Sequence, residues 1–142
     1  MADQLALEAA IERYPRLLLD TTLLIHEYTR QVDLLREIPR PQRATSLVAV
    51  WEFLHRKGGQ VIGFAERDAR RTWMNDHQIQ PVWLWPGAEH SFRNFVRHYP
   101  YGVVDCLLAA ESTSRGWPLV TNNARHFADV PGMLLVPYRA RE

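Results

Sequence analysis

Short apolar runs of strand length, each ending on a polar residue and each followed by a stretch of helical length, constrain this chain more than any other feature. Leu17-Leu18-Leu19 ends abruptly on Asp20-Thr21-Thr22, and comparable short runs recur at residues 43–46, 80–85, 118–121 and 133–137. Parallel neighbours in a sheet need crossover connections of helical length, and those crossovers are right-handed. The alternation therefore predicts a three-layer α/β/α fold around a central parallel sheet. In such sheets ligands bind in the crevice outside the carboxyl ends of the strands, which is where Asp20 would be presented. An Asp followed by Thr is also an ordinary start for a helix, and both roles are open for this stretch.

The intervening segments read as helices. Asp3 is placed to cap one running to about Tyr14, where Pro15 stops it, so residues 1–14 read as an amphipathic N-terminal helical extension. Thr22 is expected to start a helix through Tyr28 that continues, with a break, toward Glu37; Pro39-Arg40-Pro41-Gln42 ends that region. Residues 47–55 are apolar nearly all round and predict a buried helix, ended by Lys57-Gly58-Gly59. Further helices are expected over 63–77, 88–98 and 103–115, the last stopped by Gly116, with a helical turn over 123–127. The 142 residues fit a single domain spanning 1–142.

Composition narrows the setting. No apolar stretch near the N-terminus looks like a secretion signal or a membrane span. One cysteine, Cys106, excludes a disulfide framework, fits a reducing cytoplasm and reads as a small core residue. The formal net charge of +1 promises no polyanionic partner by itself. Of the 17 basic residues only Lys57 is a lysine. Arginine's planar fork suits phosphate, but a high-GC genome produces the same bias. The tryptophans Trp51, Trp73, Trp83 and Trp85 are expected mostly in the core, with a groove for a partner helix as the alternative for some of them.

Four polar groups stand out. Asp20 closes the first strand. Glu52 is the only charge between Leu47 and Leu54, and burying a lone carboxylate is costly unless it is protonated or meets a cation. Asp105 falls in the first turn of the helix after Gly102, where the helix dipole favours its ionised form. Asn123 follows the run Leu119-Val120-Thr121. A doubly wound sheet would converge all four on one crevice, and an oxygen-only set favours a hard cation, Mg²⁺ or Mn²⁺. Each has a plainer role too: Glu52 facing Arg56 one turn on, Asp105 answering the dipole, Asn123 capping a turn.

Four stretches resemble the PIN-domain nucleases, and among them the VapC-type toxins of bacterial toxin-antitoxin pairs. They are Leu18-Leu19-Asp20-Thr21-Thr22-Leu23-Leu24-Ile25, Ser46-Leu47-Val48-Ala49-Val50-Trp51-Glu52-Phe53-Leu54, Val104-Asp105-Cys106-Leu107-Leu108-Ala109-Ala110, and Leu119-Val120-Thr121-Asn122-Asn123-Ala124-Arg125-His126-Phe127. Order and spacing match over about residues 16–138. The resemblance implies a PIN fold, metal ligation by Asp20, Glu52, Asp105 and Asn123, hydrolysis of RNA phosphodiesters, and a homodimer inhibited by an antitoxin. Two departures stand out. The family often has Asp where Asn123 stands, and the neutral side chain weighs toward one tightly held ion over two. Thr22 stands where Asn or Ser is frequent. Residues 1–14 lie outside the resemblance.

On this reading the cation activates water and offsets phosphate charge. Thr21, Thr22 and Thr121 supply hydrogen bonds that fix the ligands. Arg93, Arg97 and Arg125 are candidate RNA-phosphate contacts or simply solvated helix charges. His126 is a candidate substrate contact. Two other classes compete. One is a non-catalytic PIN-fold module that holds RNA or a protein. The other is a haloacid-dehalogenase-type phosphohydrolase, which wants an Asp where Thr22 stands. Glu52 and His55 spell only one of the two Glu-x-x-His pairs that a di-iron bundle requires.

Overall fold

The computed structural model describes residues 1–140; positions 141 and 142 of the expected domain lie outside the described residues. In chain order the elements are β1 (Asp3–Gln4), α1 (Leu7–Arg13), β2 (Leu17–Leu19), α2 (Thr21–Tyr28), β3 (Arg43–Ser46), α3 (Leu47–His55), β4 (Arg56–Lys57) and β5 (Gln60–Val61). They continue with α4 (Phe64–Asp76), β6 (Gln80–Val82), α5 (Glu89–His98), α6 (Val103–Arg115), β7 (Leu119–Thr121) and β8 (Leu134–Pro137). Six strands form one sheet in the order β1-β8-β7-β2-β3-β6, every pair parallel, as the alternation of runs predicts.

The pleat explains how three leucines in a row divide between two cores. Leu17 and Leu19 face a cluster built with α1, α2 and α4 and including Phe53 of α3, whereas Leu18 points to the other side with Phe95 of α5 and Leu108 of α6. All three leucines are fully buried, as a strand covered on both faces requires. The pairing of Leu19 with both Val120 and Thr45 sets the carboxyl ends of β2, β7 and β3 level with one another. Asp20, Thr121 and Ser46 therefore emerge along one rim.

Several expectations change. Asp3 lies in a strand and does not cap α1, whose N-cap is Ala6; β1 pairs with β8 and covers what would otherwise be an open sheet edge. The extension is also part of the core, since Ala10 is fully buried and the Gln42 amide donates to the carbonyls of Ile11 and Tyr14 at the end of α1. The helix after Asp20 begins at Thr21, with Asp20 itself as N-cap, and stops at Tyr28; residues 35–37 and 40–42 are single 3-10 turns. The run at 80–85 is a strand only over Gln80–Val82, with Pro81 tolerated on an edge. The antiparallel hairpin of β4 and β5, turning on Gly58 and Gly59 at positive φ, has no counterpart in the sequence reading. Gly116 ends α6 in the left-handed conformation, as expected.

The loop between α2 and β3 is held by two buried charges. Glu27 accepts the backbone N–H groups of Leu34 and Leu35. The Arg43 guanidinium donates to the carbonyls of Ile38, His77 and Leu35, the second of these at the end of α4. Removing that guanidinium leaves three carbonyls short of a donor. Arg43→Leu is expected to lower the unfolding free energy by about 2–4 kcal/mol in urea titrations; a loss below about 0.5 kcal/mol would show that water replaces the side chain freely.

Candidate functional site

The site is built outward from Asp20, at the junction of β2 and α2. Its carboxylate is 6% exposed. One oxygen accepts the Thr21 N–H at 2.7 Å, and the other accepts the hydroxyl of Thr121, at the end of β7, at 2.8 Å. Thr121 in turn accepts the backbone N–H of Asn123 at 3.0 Å, so one hydroxyl links the carboxylate to the turn after β7. The Thr22 hydroxyl lies 3.1 Å from Asn122 Oδ1 and 3.4 Å from Asp20 Oδ2. It has one proton to give, and the shorter contact to Asn122 takes it.

Glu52 comes from the middle of α3, half-buried, with Oε1 accepting the Thr21 hydroxyl at 2.9 Å. Its plainer pairing with Arg56 is not among the ion pairs of the described residues. Thr21 thus ties Asp20 by its backbone and Glu52 by its side chain. Asp105 enters from the first turn of α6, with His126 Nε2 2.9 Å from its Oδ2. Asp105 is close enough to act on Asp20 electrostatically. The Asp20 pKa is pushed up to about 6, first by burial and further by the charge of Asp105, against the lowering effect of the Thr121 hydrogen bond.

The structure thus brings Asp20, Glu52, Asp105, Thr21, Thr22 and Thr121 to one end of the sheet. Asn123 is joined to them through its backbone, while its neighbour Asn122 is joined through its side chain. Among the described residues no three carboxylate, imidazole or thiol groups are already collected around one point. The polar groups gathered at the rim are oxygens apart from the His126 ring. That chemistry fits a hard divalent cation, and two carboxylates close enough to raise a pKa are what such an ion relieves. Arg93 is exposed and paired with Glu89 at 2.8 Å on its own helix; Arg97 and Arg125 are exposed.

Two further groups line the same side. Tyr138 follows β8, donates its backbone N–H to the Thr121 carbonyl, and sets its hydroxyl 2.8 Å from His26 Nδ1. Burial raises the Tyr138 phenol above its ordinary range, and the nearby Asp20 charge adds to that. Thr22 and His26 are four residues apart on α2, a spacing that places both on one face and is readable in the sequence. Tyr138 carries no such local signal, because only the β7–β8 pairing brings it there. A separate concavity of about 1090 Å³ is lined by Glu27, Tyr28, Arg43 and Trp73, near the far end of the eight-residue α2. The buried charges there, Glu27 and Arg43, are engaged by the backbone, and none of the four proposed ligands lines it.

The tryptophans depart from expectation. Trp51 is 52% exposed, Trp83 80% and Trp85 48%, so α3 is not buried all round and the segment after β6 displays its aromatic side chains. Cys106 is buried in the core, as expected. No helix among the described residues is long and apolar enough to cross a membrane.

A search of the curated proteins found no match to the sequence. Among solved structures, the chain is similar to a toxin-antitoxin complex from Klebsiella pneumoniae, with 24% identity, TM-score 0.65, and coverage of 87% of this chain and 98% of that one. It is also similar to DNA-bound VapBC from Salmonella typhimurium, with 20% identity, TM-score 0.69, and coverage of 87% and 98%. The VapBC-5 structure from Mycobacterium tuberculosis aligns at 20% identity with TM-score 0.60, covering 88% of this chain and 100% of that one. At such identities the likeness speaks for the fold. The PIN domain family model matches residues 17–133. It starts at β2, leaves β1 and α1 outside, and takes in Asp20, Glu52, Asp105 and Asn123. By that match and by its parallel sheet the chain belongs to the PIN domain family.

Proposed function

We propose that this protein is a metal-dependent endoribonuclease acting as the toxin of a toxin-antitoxin pair, with Asp20, Glu52, Asp105 and Asn123 as ligands of Mg²⁺ or Mn²⁺. The observation that carries the proposal is Asp20 itself, a carboxylate kept out of water beside a second carboxylate at the carboxyl end of a parallel sheet. Family membership supports nuclease chemistry, and structural neighbours described as toxin-antitoxin complexes support the toxin assignment. When bound, a divalent cation supplies a lowered water pKa and offsets charge building on the phosphate oxygens. Asp20 is held for this by Thr121 and Thr21, and Glu52 by Thr21. Asn122 sits beside Asn123 as a further oxygen donor, oriented by Thr22.

Arg97 and Arg125 are the proposed RNA-phosphate contacts, with Arg93 contributing once it leaves Glu89. Exposed apolar groups at Trp51, Val61 and Phe64, and again at Trp83, Leu84 and Trp85, offer the kind of surface that an antitoxin or a second protomer would cover. The proposed setting is the cytoplasm.

The direct test is cleavage of single-stranded RNA by the purified protein with Mg²⁺ or Mn²⁺. Asp20→Ala and Asp105→Ala are each expected to lower the rate at least about 100-fold with the fold intact by circular dichroism. Cleavage that survives both changes overturns the proposal. A protein that binds RNA but neither the ion nor cuts is the non-catalytic module.

The pH dependence of the metal-free protein gives a second test. A carboxyl whose folded pKa lies near 6 holds its proton more tightly folded than unfolded. Its contribution to stability therefore falls as pH rises from about 4 to about 6 and stays unfavourable above that. Asp20→Asn is expected to stabilise the protein in EDTA by about 1–3 kcal/mol at pH 7.5 and by little at pH 4. Thermal melts at the two pH values check this, and an equal effect at both counts against a buried, ionised Asp20.

A further inference from the structure

We infer that His126 is a positioning residue for Asp105, and that its imidazole sets how tightly the crevice binds a divalent cation. The inference rests on the metal reading proposed above. Two carboxylates of the proposed set accept a threonine hydroxyl, Asp20 from Thr121 and Glu52 from Thr21, and Asp105 instead faces the ring of His126, whose Nε2 lies 2.9 Å from Oδ2.

The ring is itself immobilised. Its centroid is 4.4 Å from that of Tyr101 and 5.3 Å from that of Phe127, the latter edge-on. Tyr101 precedes Gly102, the N-cap of α6, so the contact that locates the imidazole also locates the first turn of α6, where Asp105 sits. His126 occupies the short 3-10 turn Ala124–Phe127 that begins beside Asn123. It thereby joins the loop after β7 to α6 across the crevice.

The nitrogen facing Asp105 is shielded from water. Nε2 is buried and, among the described residues, makes no well-aligned hydrogen bond; the carboxylate oxygen is its near polar neighbour, approached off the N–H axis. A bare lone pair set that close to a carboxylate would be repelled, whereas an N–H on Nε2 is attracted to it, and the positioning role takes that tautomer. A nitrogen so enclosed is not free to reach RNA, which turns the substrate-contact role expected from the sequence into one exercised through Asp105. Partners of this kind, which orient a metal-binding carboxylate, change metal affinity by roughly 10–100-fold when removed.

The test measures Mn²⁺ binding to the full-length protein by calorimetry, with melting in EDTA as the control for folding. His126→Phe keeps the ring between Tyr101 and Phe127 and removes the nitrogen. It is expected to weaken Mn²⁺ binding about 10–100-fold with little change in melting temperature. His126→Gln, whose amide nitrogen reaches the position of Nε2, is expected to restore most of the affinity. His126→Ala is the second variant should the larger ring not be accommodated. In an Asp105→Asn background the His126 substitution is expected to add no further loss. Unchanged affinity in His126→Phe, equal losses in the Phe and Gln variants, or losses that multiply in the double variant each overturn the inference. A wild-type protein that binds no Mn²⁺ overturns the metal reading and this inference with it, and does so before any variant is compared.

Discussion

The site depends on the register of β2 between β7 and β3, which sets one carboxylate, Asp20, almost wholly out of water. Asp20 is fixed by the register of three adjacent parallel strands: Leu19 pairs with Val120 on one side and Thr45 on the other, so the next residue of β2 stands against the end of β7. A slip of one residue would turn Leu17 and Leu19 into the core now filled by Leu18 and break both clusters. Apolar burial on the two faces of β2 therefore specifies the position of one polar atom group at its end. The hydrogen bond from Thr121 spans 101 residues of sequence and exists only because that register holds.

Those dependences separate what the sequence discloses from what it conceals. Asp20, Glu52 and Asp105 were legible because each interrupts a strong local pattern: an apolar strand, an apolar helix, a helix opening after glycine. Gly116 was legible because a left-handed helix end has a residue preference of its own. The two residues of β1 carry no strand pattern; they are extended because the edge of β8 offers donors and acceptors, so a segment read as the start of a helix pairs with a strand 131 positions away. The same holds for Tyr138. Trp51, Trp83 and Trp85 are hydrophobic yet exposed, because the rule that links hydrophobicity to burial runs only one way.

Asn122 and Asn123 show the finer limit. Two adjacent asparagines after a strand are indistinguishable by composition, and which of them turns its amide toward Thr22 follows from the φ and ψ of the turn. Asn123 sits at φ −117° and ψ 46°, with its N–H spent on Thr121, and it is Asn122 whose side chain meets Thr22. Motif spacing counts residues along the chain and is blind to that rotation.

On the proposed metal reading, the choice of neighbours around the acids follows from what a cation needs. The chain has 16 arginines and one lysine, yet among the described residues none forms an ion pair with Asp20, Glu52 or Asp105. Arginine beside these groups would lower their pKa values and stabilise the fold, and it would also occupy the charge that a metal ion is to meet. Neutral hydroxyls at Thr21 and Thr121 give direction without neutralisation, leaving Asp20 with a pKa near 6 and an unfavourable charge at neutral pH. The protein tolerates that cost because the leucines around it are buried on both faces of the sheet, at roughly 1.5–3 kcal/mol each. His126 is the exception among these neutral hydroxyls, and it stands against Asp105, the acid on the outer side of the crevice, where the side chain is 37% exposed and solvent already weakens its field. With that imidazole against Asp105, the buried carboxylate, whose charge is the hardest to satisfy by any means other than an ion, has no ion-pair partner among the described residues.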